Sequence, residues 1–404
     1  MKKLLLNLAV VFSVFALTSC EDDGGGLTIN QDIDYGNGGI TTPTTSTLSG
    51  FVLSGENKVL DPNIVYSLNG PLIVKEGATL TIPAGTKIIA QNGADVYIAV
   101  MQGAKIMAQG TASNPILLTA HDRTPGAWGG LILLGKAPIN SGLTATSEIG
   151  GFNYGGTDPS DSSGVVEYVI VEYSGGAVDA ASENNGFSFY GVGNGTIVNH
   201  IESYYGSDDG VEFFGGTVNA SNIVLIGNED DSLDWTEGYT GNITDVYIRH
   251  EGTKYDKAIE GDGYNPDLGI NVDPVFYSNP TLTNVTIEGL GSSTDIQNQE
   301  GISVGSYEGV RLREATQANF NNIVVRGFGR AFQIKGNGSE DSSLTSGHHV
   351  LNGDLTVKGK FEDVTTNVKN DSGVDFDETQ FIILDNNANG TNVNAWARSW
   401  ASGL

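Results

Sequence analysis

The feature that most constrains the fold of this chain is an internal repeat of acidic residues. The stretch YYGSDDGVEFFGG at 204–216 returns in altered form as GNEDDSLDWTEGY at 227–239. Three acids of the first stretch recur in the second at a spacing of 22 residues (230 − 208 = 22): Asp208, Asp209 and Glu212 as Asp230, Asp231 and Asp234. A repeat of this length indicates a chain built from stacked units, each of which packs on its neighbours.

A second motif, a polar residue followed by alternating apolar residues, precedes each acidic segment. Its starts at 200, 222 and 245 are 22 and 23 residues apart, and the next steps, to 284 and 322, are 39 and 38 residues. The longer steps indicate inserted loops. Short strands at this spacing predict an all-β protein, a right-handed parallel β-helix with inserted loops and a C-terminal cap. Asn222, Asn284 and Asn322 begin the motif, which predicts an asparagine ladder or turn residues that tolerate a left-handed backbone.

The alternation of side chains along a strand predicts which residues of the acidic segment face outward. Apolar residues on either side of the acids are expected in the core: Val211, Phe213, Leu233, Trp235 and Ile259. The acids between them are expected to form an outward column on three successive coils: Glu212, Asp234 and Glu260. The column is predicted to continue through Ser188 on one side and through Ser303 and Gln333 on the other.

Stacked carboxylates at about 5 Å repel one another by roughly 1 kcal/mol even in water, so the acidic column needs a physical explanation. A bound cation, a shared proton or side chains that spread into solvent would each relieve this repulsion. Ca²⁺ is the expected cofactor, because hard cations take several carboxylate ligands. The predicted metal ligands are the acids of the column and of the turn before it: Asp208, Asp209, Glu212, Asp230, Asp231, Asp234, Asp256 and Glu260.

The same acids admit a catalytic interpretation. The order of Asp209, Asp230 and Asp231 followed by His250 is similar to that of the aspartates and histidine in polygalacturonases, which implies carboxylates acting as acid and base. The accompanying Asn-Thr-Asp, Gly-His-Gly and Arg-Ile-Lys motifs are absent from the corresponding places. A lyase would need a basic side chain beside Ca²⁺-holding carboxylates, and Arg330 is the candidate. A polysaccharide-degrading enzyme therefore stays the alternative hypothesis, and the main hypothesis contains no catalytic residue.

The N-terminal residues 1–19 predict a lipoprotein signal peptide. A basic start precedes an apolar run, and LTSC at 17–20 resembles the bacterial lipobox. Cys20 is the only cysteine in the chain and is the predicted lipidation site, so no disulfide is expected. Residues 20–50 are predicted to be a lipid-anchored flexible linker, 51–345 the β-helix, and 346–404 C-terminal coils or a cap. Trp396 and Trp400 are expected to close the open last coil.

The motifs NPILLTAHDRTPGAWGGLILLGKAPIN, VEYVIVEYSGG and DDSLDW resemble those of a family of Bacteroidota cell-envelope lipoproteins with a right-handed parallel β-helix. The resemblance covers nearly all of the mature chain. It implies the fold and a location in the cell envelope but no activity, since the family has no established activity. Its members often carry the label of multidrug transporter, which this sequence does not support because no membrane-spanning segment follows the signal. The acids 21–23 after Cys20 resemble the surface-export signal of such lipoproteins.

The charge of the chain narrows the classes of partner. Asp and Glu number 48 against 20 Lys and Arg, which gives a formal net charge of −28. Such a surface repels nucleic acid and attracts divalent cations. We therefore expect an outer-membrane lipoprotein that faces the cell exterior and binds or scaffolds without catalysis. Its expected partners are the outer membrane, through lipid on Cys20, and a polysaccharide or an outer-membrane protein.

Overall fold

The computed structural model describes residues 45–179, 182–265, 274–294, 307–336 and 345–404. The signal peptide, Cys20 and most of the linker lie outside the described residues, as does Ser303. Within the described ranges, 22 strands belong to one continuous sheet and two more form a small antiparallel pair. None of the helices in these ranges is both long enough and apolar enough to span a bilayer.

The strands, in chain order, are β1 (Thr45–Val52), β2 (Asn57–Val59), β3 (Val65–Val74), β4 (Thr79–Pro83), β5 (Lys87–Ala90), β6 (Ile98–Val100), β7 (Lys105–Gln109), β8 (Ile116–Ala120), β9 (Leu131–Leu134), β10 (Ala145–Thr146), β11 (Asn153–Tyr154), β12 (Gly164–Glu172), β13 (Phe187–Tyr190), β14 (Ile197–Tyr204), β15 (Val211–Phe214), β16 (Asn219–Ile226), β17 (Leu233–Thr236), β18 (Asn242–Arg249), β19 (Ile259–Asp262), β20 (Thr281–Glu288), β21 (Glu308–Arg313), β22 (Ala318–Lys335), β23 (Leu355–Asp371) and β24 (Ile382–Leu384). The helices are α1 (Ser346–Asn352), α2 (Val393–Trp396) and a 3₁₀ turn (Glu378–Gln380).

Parallel pairing arranges these strands into three columns along the molecule. The first column contains β2, β4, β7 and the first halves of β12, β14, β16, β18, β20, β22 and β23. The second contains β5, β8 and the following halves of the same long strands. The third contains β6, β9, β13, β15, β17, β19, β21 and the end of β22. One passage through the three columns is one coil, which confirms the predicted all-β parallel β-helix.

A single residue in left-handed conformation separates the first column from the second. The residues with positive φ at this bend are those that begin the repeated motif: Tyr168, His200, Asn222, Asp245, Asn284 and Asn322. Asn and Asp tolerate this conformation better than other non-glycine residues. Asn322 Nδ2 donates to Asn284 Oδ1 at 2.8 Å, and Asn284 Nδ2 donates to Asp245 Oδ1 at 3.3 Å. The left-handed turn is therefore present at all three predicted asparagines, and the ladder joins two of them, Asn284 and Asn322, and continues to Asp245.

The predicted inward residues form the core of the third column. Val211, Phe213, Leu233, Trp235 and Ile259 are all completely buried. The ring of Phe213 stacks on Phe189 and on Tyr239, with centroid distances of 5.2 and 4.3 Å. Stacking of equivalent side chains from coil to coil fixes the register of the strands, because a slip of one residue would expose the whole set. The acids between these residues are thereby held on the outer face.

An insertion between β9 and β12 covers part of that outer face. It carries the β10–β11 pair, and its residues Ile139 and Tyr154 pack on the apolar outward side chains of the earlier coils, among them Ile132 and Tyr190. The Tyr154 hydroxyl donates to the buried carboxylate of Glu237 at 2.8 Å. This bond fixes the insertion beside the coils that carry the acids, and the insertion forms one wall of the site.

Among the described residues, the parallel ladder includes Thr45–Val52, which overlaps the predicted linker, and β23, which lies in the predicted C-terminal coils. The chain then returns along the outside of the second column in a segment that we call the C-terminal strap (385–404). Trp396 and Trp400 pack edge-on against His200, with centroid distances of 6.0 and 5.8 Å. The prediction that these tryptophans close the last coil is therefore wrong, because they cover the side of the middle coils.

Candidate acidic cation site

The outward acids of the third column stack in register as the repeat predicts. Glu212 pairs with Asp234, and Leu233 pairs with Ile259, which brings Glu260 to the next position of the column. Ser188 precedes Glu212 in the same register. Beyond Glu260 the column continues through Arg311 to Gln333, which the repeat predicts as a member, whereas the prediction for Ser303 lies outside the described residues.

Nine carboxylates and one arginine surround a cavity of about 270 Å³ on this face. The lining residues are Glu148, Glu183, Asp208, Asp209, Glu212, Asp230, Asp231, Asp234, Glu260 and Arg313. Asp209 and Asp231 are buried at its base, whereas Glu148 and Glu183 are exposed. We call this cavity the acidic pocket. It contains seven of the eight predicted metal ligands. The eighth, Asp256, approaches Asp230 and Asp231 without lining the cavity.

Three residues that line the acidic pocket are not among the predicted site residues. Glu183 lies in the copy of the acidic segment that precedes the first quoted stretch, so the repeat contained a signal for it. Glu148 belongs to the insertion between β9 and β12, which has no counterpart in other coils. Arg313 occupies an outward position of β21, two residues after Arg311. The repeat predicts neither Glu148 nor Arg313, because these two residues come close to the acids only in the folded chain.

The carboxylate oxygens are close enough to share cations. Four groups of three acids each place one oxygen per residue within 4.8 Å of the others. The groups are Glu183, Asp208 and Asp230; Asp209, Glu212 and Asp234; Asp230, Asp231 and Asp256; and Asp231, Asp234 and Glu260. Oxygen ligands lie about 2.3–2.6 Å from Ca²⁺, so two ligands of one ion are at most about 5 Å apart. The donor set therefore fits a hard divalent cation.

The two buried aspartates also tie neighbouring coils together. Asp209 Oδ1 accepts the backbone N–H of Asp231 at 3.0 Å, and Asp231 Oδ1 accepts the backbone N–H of Lys257 at 2.6 Å. On the preceding coil, Asn185 donates to Glu212 Oε2 at 2.7 Å. These bonds give Asp209 and Asp231 a structural role that does not depend on a ligand.

The basic residues near the site, Lys257 and Arg313, follow most of its acids in the chain. Lys257 follows Asp231 in the stacked turn, is completely buried and forms an ion pair with Asp256. Arg313 pairs with Glu260 at 2.5 Å and with Asp262 at 2.6 Å. In the part of the chain that the structure describes, no such ion pair reaches Asp209, Glu212 or Asp234. This second group therefore has no ion pair to neutralise its charge, and among the described residues the same holds for the group of Glu183, Asp208 and Asp230.

Burial and mutual repulsion shift the protonation of these acids. Burial, and after it the neighbouring carboxylates, raises the pKa of Glu212, Asp209 and Asp234 well above the ordinary values. The same causes raise the pKa of Asp230 to about 6. For Glu260, burial opposes ionisation, but the charges of Arg313, Lys257 and Arg311 overcome it and lower the pKa. Without a cation, the poorly compensated acids therefore retain protons at pH values where free carboxylates are ionised.

The structure does not bring His250 to the aspartates of the catalytic hypothesis. His250 is buried in an aromatic cluster with Tyr255, Tyr307 and Phe328, and its Nδ1 shares a hydrogen bond with the Tyr307 hydroxyl. Burial lowers its pKa to about 3, so the ring is neutral. Arg330, the candidate lyase base, pairs with Glu308 and does not line the acidic pocket. Arg313 is the basic residue that does.

Comparison with known proteins identifies a family of this fold. A family model described as a pectate-lyase-like β-helix domain matches residues 52–401. No curated protein matches the chain.

Among solved structures, the enzymatically active domain of tailspike protein 2 from bacteriophage CBA120 is 11% identical with a TM-score of 0.34, and the match covers 76% of this chain and 41% of that one. The full-length tailspike protein 2 from an Escherichia coli O157:H7 bacteriophage is 11% identical with a TM-score of 0.26, covering 75% and 42%. A family 28 exopolygalacturonase from Yersinia enterocolitica is 13% identical with a TM-score of 0.18, covering 77% and 73%. The matched region thus spans about two fifths of the length of the tailspike chains.

Proposed function

This chain belongs to the pectate-lyase-like β-helix domain family, and we propose that it uses this scaffold to bind rather than to cleave. The proposed protein is a surface-tethered lipoprotein whose acidic pocket holds a divalent cation, Ca²⁺ in the first place. The observation that carries the proposal is the group formed by Asp209, Glu212 and Asp234. Their oxygens lie within 4.8 Å of one another, and no lysine or arginine among the described residues forms an ion pair with them.

The chemistry of the lining favours Ca²⁺ over other metals. All nine acidic residues of the acidic pocket offer carboxylate oxygens, the donors that Ca²⁺ and Mg²⁺ prefer, and neither histidine nor cysteine lines it. Mg²⁺ demands near-ideal octahedral geometry and keeps several waters, whereas Ca²⁺ accepts irregular sets of six to eight oxygens. Overlapping groups that share Asp230, Asp231 and Asp234 suit the tolerant ion.

The tether is supported by the N-terminal sequence. A signal peptide over 1–19, a lipobox that ends at Cys20 and the acids at 21–23 together favour an outer-membrane lipoprotein that faces the exterior. The linker over 20–50 would hold the β-helix away from the membrane, where its sides are open to a polysaccharide or to an outer-membrane protein.

Cation binding can be measured directly. Calorimetric titration with Ca²⁺, and Tb³⁺ luminescence excited through Trp235 beside Asp234, should both show saturable binding to the wild type. The variant Glu212→Gln/Asp234→Asn removes two ligands without touching the buried aspartates and should weaken Ca²⁺ binding by about tenfold or more. Glu167→Gln, an outward acid on β12, is the matched control and should bind like the wild type. A wild-type chain that binds neither ion would refute the cation site.

A polysaccharide-degrading enzyme is the second candidate, and one observation favours it. The acidic pocket combines close carboxylates with the basic Arg313, as a hydrolase or a Ca²⁺-dependent lyase would require. The pairing of Arg313 with Asp262 and Glu260 raises its pKa, which keeps it protonated and weakens it as a base. Product analysis on a broad polysaccharide panel tests this candidate. Asp231→Asn should abolish any turnover, and a wild type that releases no product eliminates the enzyme.

A further inference from the structure

A second outward face of the coils that carry the acids has no charge. On β16, β18, β20 and the start of β22, the outward positions of the first column hold only amide and hydroxyl side chains. We call this set the neutral strip: Asn219, Ser221, Asn242, Thr244, Thr281, Thr283, Asn319 and Asn321. The residues that alternate with them are buried in the core: Ala220, Ile243, Leu282 and Phe320. The strip is therefore a continuous surface that lies directly over the hydrophobic core.

The strip consists of two parallel files. One file pairs Asn242 with Thr281 and Thr281 with Asn319. The other joins Ser221, Thr244, Thr283 and Asn321. Neighbouring members of a file are about 4.8 Å apart, the spacing of paired strands. Each file thus repeats one type of hydrogen-bonding group at a regular interval along the molecule.

Hydrogen bonds hold several of these side chains in fixed positions. Asn219 Oδ1 accepts from Asn242, both from the backbone N–H at 2.8 Å and from Nδ2 at 3.0 Å. At the ends, Ser221 donates to Asn199 at 3.0 Å, and Thr356 donates to Asn319 at 2.7 Å. Ordered side chains lose less entropy when they bind a ligand, so the strip is preorganised for contact.

The charge distribution of the molecule indicates what kind of partner fits. On the third-column strands β15, β17, β19 and β21, six of the outward residues are charged: Glu212, Asp234, Glu260, Asp262, Arg311 and Arg313. The neutral strip has no charged member in a chain of net charge −28. Strand stability does not account for its asparagines, because Asn is depleted in strands. The nearest charge along the files is Lys358, which pairs with Asn321 and forms an ion pair with Asp385. Within the strip itself an ionic partner finds no complementary charge, whereas an uncharged partner avoids the desolvation of charges.

From this charge complementarity we propose that the neutral strip is a docking surface for an uncharged, hydroxyl-rich polysaccharide. Amides and hydroxyls both donate and accept hydrogen bonds, as sugar hydroxyls do. A polymer that repeats the same groups along its length meets equivalent partners on each coil, so many weak bonds add up along the strip. This inference rests on the proposed binding role, and it assigns the glycan to a face distinct from the acidic pocket.

The test is affinity electrophoresis and calorimetry of the purified full chain with starch, galactomannan, xyloglucan and laminarin. Polygalacturonate serves as the charged comparison. The wild type should bind at least one uncharged glycan. Thr244→Glu/Thr283→Glu, which places two charges in one file, should weaken that binding by about tenfold or more. Thr244→Ser/Thr283→Ser keeps both hydroxyls and should bind like the wild type. Thr79→Glu/Thr81→Glu on β4 is the matched control in the first column outside the strip.

The outcomes separate this inference from the cation proposal. Both glutamate variants should keep wild-type Ca²⁺ affinity and a single cooperative thermal melt, lowered in Thr244→Glu/Thr283→Glu by the repulsion of the paired carboxylates, which shows that the fold and the acidic pocket are intact. The docking surface is refuted if no uncharged glycan binds, or if Thr244→Glu/Thr283→Glu binds as tightly as the wild type. It is also refuted if the wild type is dimeric in sedimentation, the glutamate pair is monomeric and glycans leave both unchanged, because a second copy would then occupy the strip. If Glu212→Gln/Asp234→Asn loses Ca²⁺ binding but still binds the glycan, the result supports a docking surface separate from the acidic pocket.

Discussion

The carboxylate of Glu202 accepts the backbone N–H of Ser402 at 2.6 Å, across 200 residues of chain. Its other oxygen accepts the N–H of Gly403 at 3.1 Å, and Glu202 is completely buried beneath these bonds. Further along the strap, Thr391 donates to Asp245 and Asn389 meets Asn322. The C-terminal strap thereby links coils that are otherwise joined only to their immediate neighbours. In a solenoid, whose stability is a sum of neighbour terms, such a link increases the cooperativity of unfolding.

Replacing Glu202 by Gln should loosen the strap. The amide retains one acceptor oxygen but presents an NH₂ group to the second backbone N–H, which is left unsatisfied in a buried site. We expect the free energy of unfolding to fall by about 1–3 kcal/mol in urea titrations. Ser402→Ala keeps both backbone N–H groups and should change it by less than about 0.5 kcal/mol. Equal losses in the two variants would show that the strap does not depend on Glu202.

The docking of the strap should depend on pH. Burial raises the pKa of Glu202 to about 7, against an ordinary value of 4.5. Because the folded-state pKa is the higher one, the stability from this group is fully present below about pH 4.5 and is lost as the pH rises through about 7. Hydrogen exchange of the amides in 393–404 should therefore be slower at pH 5 than at pH 8, after correction for intrinsic exchange rates. In Glu202→Gln this difference should shrink.

Removal of the buried cation Lys257 should be costly. Lys257 is completely buried, pairs with Asp256 and lowers the pKa of Glu260. Lys257→Met removes the buried ion pair of Asp256, while Glu260 keeps Arg313 and Arg311, and we expect a loss of about 3–5 kcal/mol in the free energy of unfolding with chelator present. Lys257→Met/Asp256→Asn removes both charges and should lose less. If the single and double variants lose the same amount, the pair has no net electrostatic role.

The repeat predicts the coils and the acidic column because both follow from residues at a fixed spacing. Val211 and Leu233 are in the core and Glu212 pairs with Asp234, as alternation within the repeated segment requires. After Glu260 an inserted loop has no period. Counting along the chain therefore did not place Arg311 beside Glu260, with which it pairs.

The remaining errors concern contacts between segments that share no repeat. Trp400 packs edge-on against Tyr168, and nothing in the local sequence of either residue indicates the other. Glu148 reaches the acidic pocket from an insertion that occurs once in the chain. The repeat does not predict the role of Lys257 for another reason: this residue replaces an acid at the position where the preceding coil has Asp231. A repeat predicts what its copies share, and here the decisive charges are those that depart from it.

Ca²⁺ should counteract the loss of stability that the acidic pocket causes as the pH rises. Burial and neighbouring carboxylates raise the pKa of Asp234 and Glu212 well above the ordinary values and that of Asp230 to about 6. Since these folded-state pKa values are raised, their stabilising effect is present below the ordinary carboxylate range and is lost as the pH rises through the shifted values. In chelator, the melting temperature should therefore fall from pH 5 to pH 8.

In millimolar Ca²⁺ the ionised carboxylates become ligands, and binding to the folded state stabilises it by mass action. At pH 8 the melting temperature should then be higher in Ca²⁺ than in chelator. Near pH 5, where protons compete with the cation, the melting temperatures in Ca²⁺ and in chelator should converge. In Glu212→Gln/Asp234→Asn, Ca²⁺ should raise the melting temperature much less, and the melting temperature in chelator should fall less between pH 5 and pH 8. Glu167→Gln should behave like the wild type in both respects. Melting curves that coincide in Ca²⁺ and chelator at pH 8 would contradict the cation site and favour protons as the charge that the acidic pocket holds.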